Sequence, residues 1–134
     1  MRTLKTTPDG DLARDERGHL IVCGGAEAER VHAEIALRVR LGECPFDLSL
    51  GLDAPIVGAS DSPVPVTLEV ERAVLRATGI ARVLGCETEV IETAQRAEEL
   101  GVLAQWKENP RRLTHTEVLL LGDHGGELTI GLPV

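Results

Sequence analysis

The sequence predicts an α+β fold in which two main helices pack on a small antiparallel or mixed sheet that ends in a C-terminal β-hairpin. Two segments carry apolar residues at helical steps of three and four. Segments 82–92 and 127–132 instead alternate apolar and polar residues, as half-buried strands do, and 114–121 is also predicted as a strand. Asp123-His124-Gly125-Gly126 lies between the last two and suits a hairpin loop of about four to five residues. With 134 residues, the chain suits a single domain over 1–134.

The first helix is predicted over 26–41. Its apolar stripe consists of Ala28, Val31, Ile35 and Val39. Arg30, Glu34 and Arg38 are four residues apart on another face, a spacing that favours ion pairs. Gly42 is the expected C-cap, because glycine adopts the left-handed conformation without strain.

The second helix is predicted to follow the proline-containing loop 45–65 and to end before Gly79. Its stripe contains Val66, Val70, Ala73, Val74 and Ala77. Segment 93–103 is open between a short helix and a hairpin arm that continues the preceding strand. Asn109-Pro110 indicates a turn.

The N-terminal region is predicted to contain little regular structure. Residues 1–11 read as an extended arm with a turn, flexible outside an assembly. Segment 19–23 predicts a short strand, and its run of Leu20, Ile21 and Val22 predicts burial on both faces. The sole tryptophan, Trp106, is open between a core and an interface position.

Composition argues against several classes of function. A net charge of −8 disfavours binding to nucleic acid and docking on anionic membranes. One Phe, one Trp and no Tyr do not make a stacking platform for bases. Cys23, Cys44 and Cys86 lack the spacing of a disulfide framework or a metal site, so we expect no cofactor and a reducing compartment. The polar first residues do not resemble a signal peptide, so we expect folding in a cytoplasm.

Glu43 and Asp47 are the strongest candidates for chemistry. They lie four residues apart beside Phe46, and a glycosidase needs two carboxylates flanking a sugar cleft. Such clefts commonly offer flat aromatic faces, which this chain almost lacks. The favoured interpretation is that Glu43 accepts hydrogen bonds from backbone amides and fixes its loop. No nucleophile elbow is present either, so we expect no catalysis.

The strand over 127–134 ends the sequence and has two interpretations of equal weight. It completes its own sheet, or it forms a sheet edge that accepts a strand from another chain. Its apolar face carries Leu128, Ile130 and Leu132.

The order of these pieces resembles the baseplate wedge and sheath-initiator proteins of contractile phage tails, long labelled lysozyme-like. The matching pieces are Arg17-Gly18-His19-Leu20, Gly25-Ala26-Glu27-Ala28, the helix 35–41, Gly42-Glu43, the loop 46–51 and Thr78-Gly79-Ile80-Ala81-Arg82-Val83. Cys44-Pro45 departs from the family pattern, and 93–111 reads as an insertion.

The resemblance implies a structural subunit of the virion tail baseplate, assembled in the host cytoplasm in several copies around a sixfold axis. Its implied partners are other wedge proteins, the tail sheath protein, and tube or hub proteins. From the resemblance and the loop we expect partner contacts at Glu43, Phe46, Asp47 and Gly51. The terminal strand adds Leu128, Ile130 and Leu132. The alternative, in keeping with the family label, is a cell-wall hydrolase that uses Glu43.

Overall fold

The computed structural model describes residues 2–59, 63–108 and 113–134 and has an α+β fold. The strands are β1 (Arg2–Leu4), β2 (Val22–Gly24), β3 (Ile80–Val90), β4 (Thr114–Gly122) and β5 (Glu127–Pro133). The helices are α1 (Gly25–Arg38), α2 (Ala54–Ala59), α3 (Pro63–Leu75), α4 (Ala94–Glu99) and α5 (Leu103–Glu108). The turn predicted at Asn109-Pro110 lies outside the described residues.

The main core lies between one antiparallel sheet, of order β3-β4-β5, and the two longest helices. Alternate residues of β4 and β5 face inward, so Val118, Leu120, Ile130 and Leu132 are buried. The helices α1 and α3 cover them with small and β-branched side chains, among them Ala33, Ala36, Leu37, Val66, Val70 and Val74. The predicted arrangement of two helices on a small sheet with a C-terminal hairpin is thus confirmed.

Helix α1 differs from its prediction in length and in its buried face. It ends at Arg38 with Val39 as C-cap, so Gly42 lies in a turn beyond the helix. The buried face is rotated from the predicted stripe, since Ile35 is exposed whereas Ala33, Ala36 and Leu37 are buried.

The predicted ion pairs of α1 form in part. The Arg30–Glu34 pair forms at 2.7 Å. Arg38 donates instead to the carbonyl oxygen of Pro8 at 2.7 Å, and so ties the N-terminal segment to the helix.

Helix α3 buries the predicted stripe: Val66, Val70, Ala73 and Val74 are fully buried. It ends at Leu75, four residues before Gly79, which has a φ of 91°. The prediction of a loop over 45–65 was wrong in part, because α2 and the start of α3 fall inside that range.

The N-terminal arm predicted over 1–11 is instead paired into a sheet. Strand β1 pairs antiparallel with β2, and isolated bridges join Thr6 to Leu12 and Arg14 to Leu20. We call this paired region, residues 2–24, the N-terminal meander. Burial of segment 19–23 on both faces was also wrong, because Leu20 and Val22 are exposed while Cys23 is buried against α1.

Segment 93–103 contains the short helix α4 and not a hairpin arm, which settles the open choice. Thr93 caps α4, its side chain accepting a hydrogen bond from the Arg96 amide at 3.2 Å. Trp106, on α5, packs against a second cluster built on Ile91, Ala97 and Val102. The Trp106 indole donates to the Ile91 carbonyl at 3.1 Å, so this side chain belongs to the interior of that unit.

Candidate functional site

The loop of residues 42–51 is closed at its base by a short parallel bridge. Leu41 donates its amide hydrogen to the Leu52 carbonyl at 2.8 Å, and Leu52 donates to the Val39 carbonyl at 2.9 Å. Leu52 is buried in the main core and Leu50 packs against it. The two ends of the loop are therefore fixed to each other and to the core.

Gly51 allows the two chain segments at this base to approach closely. Its φ is +110°, in the region that favours glycine. A Cβ atom at this position would lie 2.5 Å from the Val39 carbonyl oxygen and 2.8 Å from the Arg40 carbonyl carbon. The loop thus requires glycine here both for its conformation and for its space.

A buried carboxylate on α3 holds the outgoing end of the loop. Glu69 is only 6% exposed and accepts the Asp53 amide hydrogen at 2.8 Å. Arg72 donates to Glu69 at 2.5 Å and to the Gly51 carbonyl at 2.6 Å. Hydrogen bonding to the Arg72 guanidinium holds the pKa of Glu69 below its usual value. The pair therefore stays ionised near neutral pH and connects α3 to both sides of Leu52.

Inside the loop, both predicted carboxylates bind local groups. Glu43 accepts the Arg40 amide hydrogen at 2.9 Å, as its structural interpretation predicts. Asp47 accepts from the Ser49 hydroxyl at 2.6 Å and from the Ser49 amide at 3.0 Å. These bonds lower the pKa of Asp47, so it is ionised at neutral pH and has no proton to donate as a general acid. Both side chains shape the loop.

The tip of the loop presents apolar side chains to solvent. Phe46 is 96% exposed and Leu48 is 66% exposed. Exposed single hydrophobic residues are ordinary, but a fully exposed aromatic ring on a tied loop is less so. The loop, tied at its base, therefore holds an aromatic side chain in solvent, away from the body of the protein.

The terminal strand β5 forms one edge of the three-stranded sheet. The side chains of Ile130 and Leu132 are buried in the core, and that of Leu128 packs against it. These three predicted partner-binding residues therefore anchor the strand. A partner strand would meet backbone groups instead.

The alternation of hydrogen-bonded and non-hydrogen-bonded pairs along the hairpin shows which backbone groups face outward. Val134 donates to the Thr114 carbonyl and Gly122 donates to the Gly126 carbonyl. With the recorded register, the N–H groups of Glu127, Thr129 and Gly131 then point away from β4. They have no hydrogen-bond partner among the described residues. The edge is thus open to another strand.

One buried polar contact was not predicted from the sequence. Glu29 on α1 is fully buried and accepts hydrogen bonds from the His124 amide and ring in the β4–β5 loop. Its other oxygen lies against Gly122 and has no partner among the described residues. A carboxylate near the start of a helix is ordinary, because it complements the helix dipole, so no sequence signal pointed to this long-range role of Glu29.

The described residues contain no group of three or more His, Cys, Asp or Glu side chains placed to hold a metal ion. His32, Asp47 and Arg76 line a shallow open groove beside the loop with apolar neighbours. His32 is occupied there by the Thr78 carbonyl at 3.2 Å. None of the helices in the described ranges is long and apolar enough to cross a membrane.

Searches against protein-family models and against curated proteins found no match for this chain. The loop and the β5 edge therefore have to be interpreted from their own geometry.

Proposed function

We propose that this chain is a non-catalytic structural subunit of a phage, or phage-like, contractile-tail baseplate. In this role it links wedge proteins and starts sheath assembly by accepting a strand at β5. The observation that carries the proposal is the open edge of β5, with three outward N–H groups on a strand whose inward-facing side chains, Ile130 and Leu132, are buried. The resemblance of the sequence pieces to the baseplate wedge and sheath-initiator family supplies the context.

An edge of this kind suits β-augmentation because its own register is already fixed. Ile130 and Leu132 cannot slip without leaving the core, so the outward groups keep a constant position. Main-chain hydrogen bonds to an incoming strand would supply affinity, and alternate side chains would supply specificity. Such edges are otherwise protected in natural proteins, because they invite aggregation.

The 42–51 loop supports a second contact in the same assembly. Its base is held by the core and by the Glu69–Arg72 pair, so Phe46 approaches a neighbour in a defined orientation. A preorganised loop loses little conformational entropy on binding. Under this proposal, Glu43, Asp47 and Gly51 maintain the loop and Phe46 makes the contact.

The hydrolase alternative gains no support from the surroundings of Glu43. Its carboxylate is exposed and accepts a hydrogen bond from the backbone of its own turn. A general acid in a glycosidase needs an environment that raises its pKa and a cleft for the sugar. No observation in the described residues favours a hydrolase over a structural subunit.

The test removes one outward N–H without touching the core. Thr129→Pro deletes that donor on the open side of β5, where proline is tolerated. We expect binding to the sheath and wedge proteins encoded beside this chain to weaken roughly five- to tenfold, because one hydrogen bond contributes about 1 kcal/mol. Light scattering after size-exclusion chromatography of the mixtures measures it.

Thr129→Val is the matched control, because it keeps the N–H and alters the side chain. Circular dichroism shows whether both variants are folded. Full binding by a folded Thr129→Pro variant would contradict the proposal. Deleting the strand is a poorer test, because it also removes the buried side chains of Ile130 and Leu132.

A further inference from the structure

One face of the N-terminal meander is apolar, exposed and bounded by two arginines. In an antiparallel pair, opposite residues share a face, and so do residues two apart along a strand. The pairings Leu4↔Val22, Thr6↔Leu12 and Arg14↔Leu20 place four aliphatic side chains on one face. Their exposed fractions are 38% for Leu4, 50% for Leu12, 46% for Leu20 and 50% for Val22. We call this the N-terminal face.

The arginines mark the two ends of this face. Arg2 pairs with Gly24 and Arg14 pairs with Leu20, so both share the face with the aliphatic residues. Four residues separate these rows, which places the arginines about 13 Å apart. Neither arginine side chain has an ion pair or hydrogen bond among the described residues. In a chain of net charge −8, they leave the face basic as well as apolar.

A second exposed face has the opposite charge. On the side of the β3-β4-β5 sheet away from the helices, Glu87 and Glu117 are direct cross-strand partners, and both are exposed. Like charges in directly opposite positions repel each other. Neither carboxylate has a partner among the described residues. Half-buried Leu119 and exposed Thr129 follow along the sheet, and a shallow groove runs beside them. We call this the outer sheet face.

The spacing of charges on the outer sheet face matches that of the arginines. Glu127 pairs with Leu121, four residues along β4 from Glu117, which is again about 13 Å. Arg82 pairs with Leu121 from the other side and offsets part of the Glu127 charge. Arg96 lies beside Glu87 and Glu117, but it is paired with Glu89 and Glu99, so this end keeps the larger excess of carboxylates.

We propose that the N-terminal face of one copy of this chain docks on the outer sheet face of a second copy. Each contact would place aliphatic side chains together and bring two free arginines to free glutamates, which also relieves the repulsion of the Glu87–Glu117 pair. The contact is head-to-tail, so it propagates into a closed ring or an open filament. It does not depend on the proposed baseplate function.

A symmetric contact of two N-terminal faces fits less well, because Arg2 and Arg14 of one copy would meet the same arginines of the other. The net charge of −8 does not prevent the head-to-tail contact. At physiological ionic strength the screening length is about 8 Å, so the charges in the contact outweigh the distant ones.

The experiment reverses the charge of each face in the isolated protein. Arg2→Glu with Arg14→Glu reverses one face, and Glu87→Arg with Glu117→Arg reverses the other. Sedimentation velocity over a wide range of protein concentration should show self-association of the native chain. Each double variant alone should weaken it about tenfold or more, because like charges then meet. Mixing the two double variants should restore it, since every contact in an alternating assembly pairs opposite charges.

Matched controls make the same change in net charge at positions outside the two faces. Arg17→Glu with Lys107→Glu, and Glu98→Arg with Glu108→Arg, alter exposed residues outside both faces. Leu12→Ser, at a site already half exposed, removes an aliphatic contact without emptying the core and should also weaken self-association.

A native chain that stays monomeric at every concentration would overturn the proposal. So would self-association that survives reversal of the outer sheet face, because the N-terminal face would then have another occupant. The measurement uses no tail protein, so a monomeric native chain leaves the baseplate proposal standing. Full sheath binding by a folded Thr129→Pro variant contradicts the baseplate proposal and leaves this one standing.

Discussion

The two sheets of this protein have similar strand patterns but opposite relations to solvent. In the β3-β4-β5 sheet, inward-facing aliphatic residues such as Leu120 and Ile130 are buried under α1 and α3. In the N-terminal meander, Leu12 and Val22 occupy equivalent alternate positions, yet about half of each side chain is exposed. The opposite face of the meander places Cys23 against Ala28 and Val31 of α1.

The difference shows that alternation selects which residues share a face and leaves the burial of that face to the rest of the chain. A strand face is buried when a helix with a matching apolar stripe covers it. Among the described residues, α1 and α3 are the two long helices, and they pack against the C-terminal sheet and against one side of the meander. The other, apolar face of the meander stays exposed.

The test of this comparison with the largest expected effect truncates one leucine in each sheet. Leu120→Ala should lower the free energy of unfolding by about 2–5 kcal/mol, because Leu120 is fully buried and its removal leaves a cavity. Leu12→Ala should change it by about 0.5 kcal/mol or less, because the side chain is already half exposed. Urea unfolding of the dilute protein measures both values.

Equal losses for the two variants would mean that the N-terminal face is covered within a single copy. That result would remove the basis for a docking surface in the meander. Dilute protein is required, because self-association would stabilise the native chain and enlarge the effect of Leu12→Ala.

The C-terminal sheet, its hairpin and the buried stripe of α3 could be predicted from the sequence, because each shows a pattern among residues close together in the chain. It missed the N-terminal meander because Lys5, Ala13 and Ile21 pair across turns whose closure no periodicity encodes. It predicted the role of Glu43, whose partner is three residues away, whereas the bond between Glu69 and Asp53 spans a loop. Contacts between segments distant in sequence decide which polar residues are buried, and single-sequence patterns do not report them.

A second test concerns the way in which the C-terminal sheet is attached to α1. Gly122 lies against the buried carboxylate of Glu29, so an added Cβ would collide with it. Gly122→Ala should therefore cost about 1–3 kcal/mol of unfolding free energy, as overpacking of a buried site does. Gly126→Ala is the control, since its Cβ would meet nothing within 4 Å and its φ is not positive. Similar thermal denaturation midpoints for the two variants would show that Glu29 can move aside.

The smallest expected effect comes from a titratable group that the C-terminal sheet buries. His115 is 8% exposed, and burial lowers its pKa, with the charges of Glu89 and Glu117 acting in the opposite direction. Between that lowered value and about 6.5 in the unfolded chain, the unfolded state binds more protons. The free energy of unfolding should therefore fall as pH falls through this window, by less than about 1.4 kcal/mol per pH unit for one proton.

His115→Gln removes this contribution, so its unfolding free energy should decrease less than that of the native chain between about pH 7.5 and about pH 5.5. Urea unfolding at both pH values gives the comparison, and taking the difference between the two proteins cancels the other titrating groups to first order. An unchanged pH dependence in the variant would mean that His115 becomes protonated in the folded state as easily as in the unfolded one. Either water would then reach His115 more than its burial indicates, or the charges of Glu89 and Glu117 would offset the effect of burial in full.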